Sequence, residues 1–236
     1  MSDAVEWAAL GEAAFWLALT VAFYIGARRV QQMVGGSALA NTVLIAALPI
    51  MLLLHFAGIP FSDYRDGGAP LLWLLGPATV ALAVPLYINF HHVRAAWLPM
   101  CVSLVVGSVV AVLSSIWLGD VLGASMETVR SLAPKTVTTP IAMGIASKIG
   151  GVPALTAAFV IFTGIIGAIS ASAIFNAVGI RDQRARGFAL GVTSGGIGTA
   201  RAFQESLLAG TFSGVGMTLN GIITAILLPL LWLAFS

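Results

Sequence analysis

The sequence of 236 residues is 59% apolar and only 8% charged, whereas soluble globular domains carry roughly 25% charged residues. This composition excludes a water-soluble fold and predicts an integral membrane protein. The net charge of +2 comes from few, scattered basic residues, a distribution typical of topology signals and not of nucleic-acid binding.

Six apolar segments are long enough to cross a bilayer, since about 20 uncharged helical residues span its hydrocarbon core. They cover Ala8 to Ala27, Leu39 to Ala57, Leu71 to Phe90, Trp97 to Leu118, Val152 to Ala177 and Phe212 to Phe235. Two further segments, Leu132 to Ile149 and Phe188 to Phe203, are interrupted by proline, glycine or charge. We therefore expect an all-α multi-pass fold with about six full transmembrane helices and two interrupted or re-entrant segments.

Loop charges predict which segment re-enters. Basic residues near Arg28, Arg94 and Arg181 mark three loops as cytoplasmic, while the more acidic loops 58–70 and 119–130 are predicted to lie outside. An odd number of crossings must separate residues 119–130 from residues 181–186, but two segments lie there. Leu132 to Ile149 is the better candidate to enter and leave on one side, because its prolines break the helix.

An internal repeat is indicated by matches at a constant offset of 57 residues. Thr79, Thr136 and Thr193 share this spacing, and residues 163–169 match residues 220–226. Small residues recur in any membrane helix interface, so chance matches are the alternative. If the interrupted segments of the last two units are both re-entrant, these units are inverted repeats, a common transporter plan.

Residues 1–236 are predicted to form a single integral membrane domain. Residues 1–70 are predicted to be scaffold helices that support a homodimer. Residues 131–187 and 188–236 are the predicted inverted repeat units, and 74–130 is a related unit.

The segment Pro134 to Pro140 combines one cation, three hydroxyls and two helix breaks in seven residues. A break exposes N–H groups at the start of the next half-helix, where the macrodipole also favours negative charge. With the ammonium of Lys135 added, the segment predicts a carboxylate site. The alternative for a membrane cation is snorkelling to the headgroups, which we expect of Lys148.

Residues 193–201 supply the counterpart in the next unit, because glycines allow close approach and Arg201 is able to clamp a carboxylate. The predicted substrate-binding residues are Lys135, Thr136, Thr138, Thr139, Ser194, Thr199 and Arg201. The predicted helix breaks are Pro77, Pro134, Pro140, Gly195, Gly196 and Gly198, and Thr79, Thr193 and Asn220 are predicted to support the site.

The sequence contains neither a His-Glu-x-x-His nor a Gly-x-Ser-x-Gly motif, and its one cysteine, Cys101, lies in an apolar run. We therefore expect no catalytic residues, no metal site and no cofactor. The predicted activity is movement of a small anionic solute.

Three stretches together resemble the LrgB/CidB family, over roughly Asn41 to Leu231. They are Leu75 to Ala83, Pro134 to Met143 and Ile197 to Ala202. The family also includes the carboxyl-terminal part of the plastid glycolate/glycerate translocator. One departure is Gly195, where the family pattern Ser-His-Ala-Ile-Gly-Thr has histidine.

The resemblance implies a location in the bacterial cytoplasmic membrane and one of two functions. One is transport of small monocarboxylates such as glycolate, glycerate or pyruvate. The other is holin/antiholin-like control of murein hydrolase export and cell lysis. Interrupted helices and isolated cations at membrane depth favour the carrier, since a lesion requires only associating helices. The resemblance also implies a small LrgA/CidA-type membrane partner.

Overall fold

The computed structural model describes residues 2–35, 40–81 and 83–235. All regular elements in these residues are α-helices. In chain order they are α1 (Ser2–Met33), α2 (Thr42–Ala57), α3 (Phe61–Gly67), α4 (Ala69–Ala81), α5 (Ala83–Ile88), α6 (Phe90–Ala95), α7 (Trp97–Val121), α8 (Met126–Leu132), α9 (Thr139–Ile149), α10 (Pro153–Ala177), α11 (Gln183–Glu205) and α12 (Leu207–Phe235).

Four of the described helices are long and apolar enough to cross a membrane: Gly11–Met33, Trp97–Val121, Pro153–Ala177 and Leu207–Trp232. The shorter α2 is also apolar. Many large apolar side chains on these helices are exposed, as a helix surrounded by lipid requires. The all-helical membrane character predicted from composition is confirmed, whereas the number of six full crossings stays a prediction.

The chain divides into two compact units, residues 1–83 and 84–236. In the first unit, Trp16 of α1 packs with Ile50 and Leu54 of α2. The hydroxyls of Thr20 and Tyr64 lie 3.1 Å apart and join α1 to α3. The predicted scaffold role of residues 1–70 stays a prediction.

In the second unit, the interrupted segment after α7 folds back on itself. The backbone N–H of Val152, just before α10, donates to the Ser131 hydroxyl at 2.8 Å. The segment therefore returns to the place where α8 ends, after turning at residues 133–138 and running back as α9. We call residues 126–149 hairpin 1. Its turn and α9 bury Val137, Ala142 and other apolar side chains in one cluster with Leu228 of α12.

Helix α11 also folds back, at Gly195, whose φ of 52° and ψ of −135° interrupt the helix. A Cβ at Gly198 would lie 2.6 Å from the Leu190 carbonyl oxygen, although eight residues of an unbroken helix span about 12 Å. Ser206, just after α11, donates to Gln183 at its start, at 2.5 Å. We call residues 183–205 hairpin 2.

The two hairpins are attached at opposite ends of α10. Hairpin 1 meets the first residues of α10 through the bond between Ser131 and Val152. Hairpin 2 meets the last turns of α10, where Ser172 donates to Glu205 at 2.8 Å. The turns of the two hairpins therefore point toward each other along α10.

One predicted segment and two predicted helix breaks differ from the structure. Leu71 to Phe90 is divided among α4, α5 and α6. Helix α5 ends at Ile88, and the side-chain amide of the next residue, Asn89, donates to the Pro85 carbonyl at 2.9 Å. Pro77 lies inside α4 and does not end it. Pro140 lies in the first turn of α9, where proline is tolerated because no intrahelical donor is lost there.

Candidate functional site

The turns of the two hairpins meet at Asn220 of α12, which is fully buried. Its Nδ2 donates to the Val192 carbonyl of hairpin 2 at 2.9 Å and to the Thr136 carbonyl of hairpin 1 at 3.2 Å. Its Oδ1 accepts from Ser108 of α7 at 2.7 Å and from Thr224 at 3.3 Å. One amide thus joins both hairpins to two apolar helices.

A second group of hydroxyls surrounds the break in hairpin 2. Thr199 donates to the Gly195 carbonyl at 2.9 Å, and its hydroxyl lies 3.0 Å from that of Ser213. The hydroxyls of Thr193 and Ser194 lie 3.2 Å apart. These contacts place the break among hydroxyl groups; Ser194 and Thr199 are buried in the protein, whereas Thr193 is exposed.

Glycine is required at Gly195, because positive φ with this ψ is a conformation that L side chains rarely adopt. A Cβ at this position would lie 3.8 Å from the Val137 carbonyl oxygen of hairpin 1, so the two turns are in van der Waals range of each other. Gly167 of α10 packs directly against this break, because a Cβ there would overlap the Ser194 hydroxyl and displace that side chain.

Lys135 lies in the turn of hairpin 1 and donates to Ser115 of α7. Ser115 is buried, and Lys135 is half-buried. The ammonium therefore lies between hairpin 1 and α7 at the level of the helix break. Thr138 occupies the N-cap position of α9 without a side-chain capping bond, and Thr139 begins the helix, so both lie where the first N–H groups of a half-helix are available.

Arg201 lies on the returning arm of hairpin 2, where its guanidinium is 3.7 Å from Glu205. Glu205 in turn accepts from Ser172 of α10. Both charged side chains are less than one-fifth exposed. Residues four apart on a helix are neighbours, so Arg201 and Glu205 form a helical ion pair. Arg201 and Lys135 lie in different hairpins.

Hairpin 2 begins with an electrostatic cap in the loop after α10. Asp182 accepts from the Arg184 backbone N–H at 2.8 Å and pairs with its guanidinium at 2.6 Å. Hydrogen bonds from the Arg184 side chain lower the pKa of Asp182 to about 2. The carboxylate is therefore ionised at neutral pH and suits the positive end of the helix.

The structure brings together several of the residues singled out from the sequence. In hairpin 1, Thr136 contacts Asn220. In hairpin 2, Ser194 and Thr199 lie beside Gly195, which faces the turn of hairpin 1. Thr193 instead donates to the Ala189 carbonyl of its own helix. The side chain of Thr79 lies outside the described part of the chain. The roles of all these residues in binding stay predictions.

Three residues of the site were not predicted from the sequence: Ser108, Ser115 and Thr224. A signal for the first two is present, since buried residues of α7 recur every three or four positions and both serines lie on that stripe. Thr224 follows Asn220 by one turn and so shares its face.

The fold and the site define an all-helical membrane protein in which two helix hairpins meet at a buried asparagine. The LrgB-like family profile matches residues 20–234, and the chain belongs to this family. An uncharacterized protein, YwbG, of Bacillus subtilis is 36% identical over 91% of this chain and 95% of its own length.

Relatives with a functional name are also similar over nearly the whole chain. The holin-like protein CidB of Staphylococcus epidermidis and that of Staphylococcus aureus are each 30% identical over 95% of this chain and 97% of their own length. No solved structure matches the chain. The family resemblance read from the three sequence stretches is thereby confirmed.

Proposed function

We propose that this protein carries small monocarboxylates, of the glycolate, glycerate or pyruvate type, across the bacterial cytoplasmic membrane by alternating access. The observation that carries the proposal is the meeting of two hairpins, attached at opposite ends of α10, at one buried amide. Non-helical backbone at membrane depth is tolerated where it is buried in protein or lines a wet cavity. Broken helices of this kind form the substrate sites of many transporters.

The charge distribution favours an anion on the hairpin 1 side. The returning arm α9 begins at Thr139, so the positive end of its macrodipole faces the turn. The ammonium of Lys135 lies in the same turn. A carboxylate between them would accept charge-assisted hydrogen bonds, which are about twice as strong as neutral ones. The further contacts that we propose are Thr136, Thr138, Thr139, Ser194, Thr199 and Arg201.

The arrangement of the two hairpins supports an inverted repeat. Hairpin 1 is followed by α10 and hairpin 2 by α12, so each proposed unit is a hairpin and then a long apolar helix. We propose that the units 131–187 and 188–236 alternate access by moving against a scaffold in residues 1–70 that dimerises. A small LrgA/CidA-type membrane partner belongs to the same proposal. Transport of this kind requires no covalent chemistry.

A second candidate function is holin-like control of murein hydrolase export and lysis. The CidB relatives are named holin-like proteins, and this similarity supports the second function better than it supports a carboxylate carrier. The two functions differ in selectivity, because a lesion passes any small solute whereas a carrier saturates.

Replacement of Lys135 by alanine is expected to reduce uptake of labelled glycolate or pyruvate into proteoliposomes about 10- to 100-fold at low substrate concentration. The physical reason is that hydrogen bonds to charged groups contribute about 1.5–3 kcal/mol, and each 1.4 kcal/mol is about a factor of ten. Lys148→Ala is the matched control, because Lys148 is exposed at the end of α9, and it should transport normally.

A neutral dye enclosed in the same vesicles separates the two functions. The carrier predicts saturable uptake with the dye retained. Dye release that is equal in wild type and Lys135→Ala, with no saturable uptake, would replace the carrier with the holin-like function.

A further inference from the structure

The oxygen atoms around Asn220 form a second kind of site. Its terminal Nδ2 faces three oxygens of the two hairpin turns: the Val192 carbonyl at 2.9 Å, the Thr136 carbonyl at 3.2 Å and the Thr136 hydroxyl at 3.4 Å. A primary amide has an oxygen and a nitrogen of nearly equal size, so a half-turn about its last bond exchanges them in place. The turned amide would direct Oδ1 at the three oxygens.

The other face of the amide tolerates this exchange. Ser108 and Thr224 contact the present Oδ1 through hydroxyl groups. A hydroxyl accepts as readily as it donates, so both would accept from the turned NH₂ group. Rotation of the amide therefore leaves Ser108 and Thr224 each with a hydrogen-bond partner. It also gathers four oxygens on the side of Asn220 that faces the hairpins.

Of the four oxygens only the Thr136 hydroxyl carries a proton, so the two carbonyl oxygens and the turned Oδ1 repel one another unless a cation lies among them. We propose that Asn220, Thr136 and the Val192 carbonyl bind a sodium ion when the Asn220 amide is turned. Oxygen ligands lie about 2.3–2.6 Å from Ca²⁺, and Na⁺ has nearly the same radius. Neighbouring oxygens in an octahedral shell are then about 3.3–3.7 Å apart. The Nδ2 position that Oδ1 would take lies 2.9–3.4 Å from the three oxygens, so small outward shifts would accommodate the ion.

The charge and dipoles of the site favour a monovalent cation. All four ligands are neutral, and the described residues contain no cluster of three or more His, Cys, Asp or Glu side chains that would suit a divalent metal. Val192 lies at the carboxyl end of the first arm of hairpin 2, just before Gly195. Carbonyls at such an end carry partial negative charge and are used for Na⁺ in broken transporter helices.

Lys135 is adjacent to Thr136 in sequence, but its ammonium reaches Ser115. Ser115 lies seven residues along α7 from Ser108, which contacts Asn220, and seven helical residues span about 10 Å. A cation at Asn220 and an anion at Lys135 would therefore occupy neighbouring positions. The role of sodium as a coupling ion rests on the proposed carrier function; the binding site itself does not.

The test measures binding directly, so that its failure is distinct from a failure of transport. The purified full-length protein in detergent is heated in NaCl or in choline chloride at equal ionic strength, and ²²Na⁺ binding is measured by equilibrium dialysis. A ligand that binds only the folded state raises the melting temperature as its concentration rises. We expect this rise with NaCl and not with choline.

Two buried threonines on opposite faces of the Asn220 amide provide matched variants. Thr136→Val removes a proposed ligand, whereas Thr224→Val removes only a partner of the other face. Loss of even an outer-shell partner of a metal ligand weakens binding about 10- to 100-fold. We therefore expect more than about tenfold weaker ²²Na⁺ binding in Thr136→Val, a smaller loss in Thr224→Val, which removes only a partner of the ligand Asn220, and near-normal binding in Thr136→Ser, which keeps the hydroxyl. Equal melting in the two salts, or full ²²Na⁺ binding by Thr136→Val, would overturn the sodium site.

Discussion

Replacement of Asn220 by alanine is expected to lower the free energy of unfolding by about 2–4 kcal/mol. Interhelical hydrogen bonds in membranes contribute about 0.6 and at most about 1.7 kcal/mol each, and Asn220 makes contacts of this kind with Ser108, Thr136 and Val192. The truncation also leaves a buried carbonyl in each hairpin without its donor. The free energy is measured by reversible unfolding in mixed detergent micelles.

Asn176→Ala is the control for this substitution. Asn176 is exposed at the end of α10 and accepts from Arg186 at the surface, so its loss should change stability by no more than about 0.5 kcal/mol. Equal small effects of the two substitutions would show that the hairpin turns are not held together through Asn220.

The replacement Gly191→Ala is expected to destabilise the protein by about 3 kcal/mol. A Cβ at Gly191 would overlap the Ser213 carbonyl of α12 and lie 2.9 Å from the Met217 backbone nitrogen. Backbone atoms of a packed helix cannot move aside as the end of a side chain can, and added atoms in packed interiors cost about 1–3 kcal/mol. The same unfolding measurement applies.

Gly214→Ala tests whether this effect comes from the close approach of the helices. Gly214 also lies in α12, but nothing lies within 4 Å of a Cβ built there. Alanine in a helix interior is favoured over glycine by about 0.5–1 kcal/mol, so this variant should be slightly more stable. A loss of stability equal to that of Gly191→Ala would contradict the packing of hairpin 2 against α12.

Much of this architecture follows from local sequence chemistry. Prolines and glycines at Pro134, Pro140 and Gly195 indicated interrupted segments, because these residues remove backbone donors or adopt positive φ. The long apolar helices followed from length and hydropathy alone. A single helix over Leu71 to Phe90 was not found, since apolar composition does not show where a side chain such as Asn89 ends a helix.

The contacts of the site were harder to predict than its position. The choice of Ser115 as the partner of Lys135 depends on how hairpin 1 packs against α7, and no local pattern in residues 134–140 specifies it. Asn220 was expected only to support the site, because its two hairpin partners are 28 and 84 residues away in sequence. Long-range pairings of this kind are set by tertiary packing.

Cysteine labelling tests whether the two hairpins enter the membrane from opposite sides. With Cys101 replaced by serine, single cysteines are placed at four exposed positions: Glu127 and Lys148 in hairpin 1, and Arg181 and Gln204 beside and within hairpin 2. An impermeant maleimide is applied to right-side-out and inverted vesicles. We expect labelling of Glu127→Cys and Lys148→Cys from one side and of Arg181→Cys and Gln204→Cys from the other. Labelling of Glu127→Cys and Lys148→Cys from opposite sides would contradict it, because that segment would then cross the membrane.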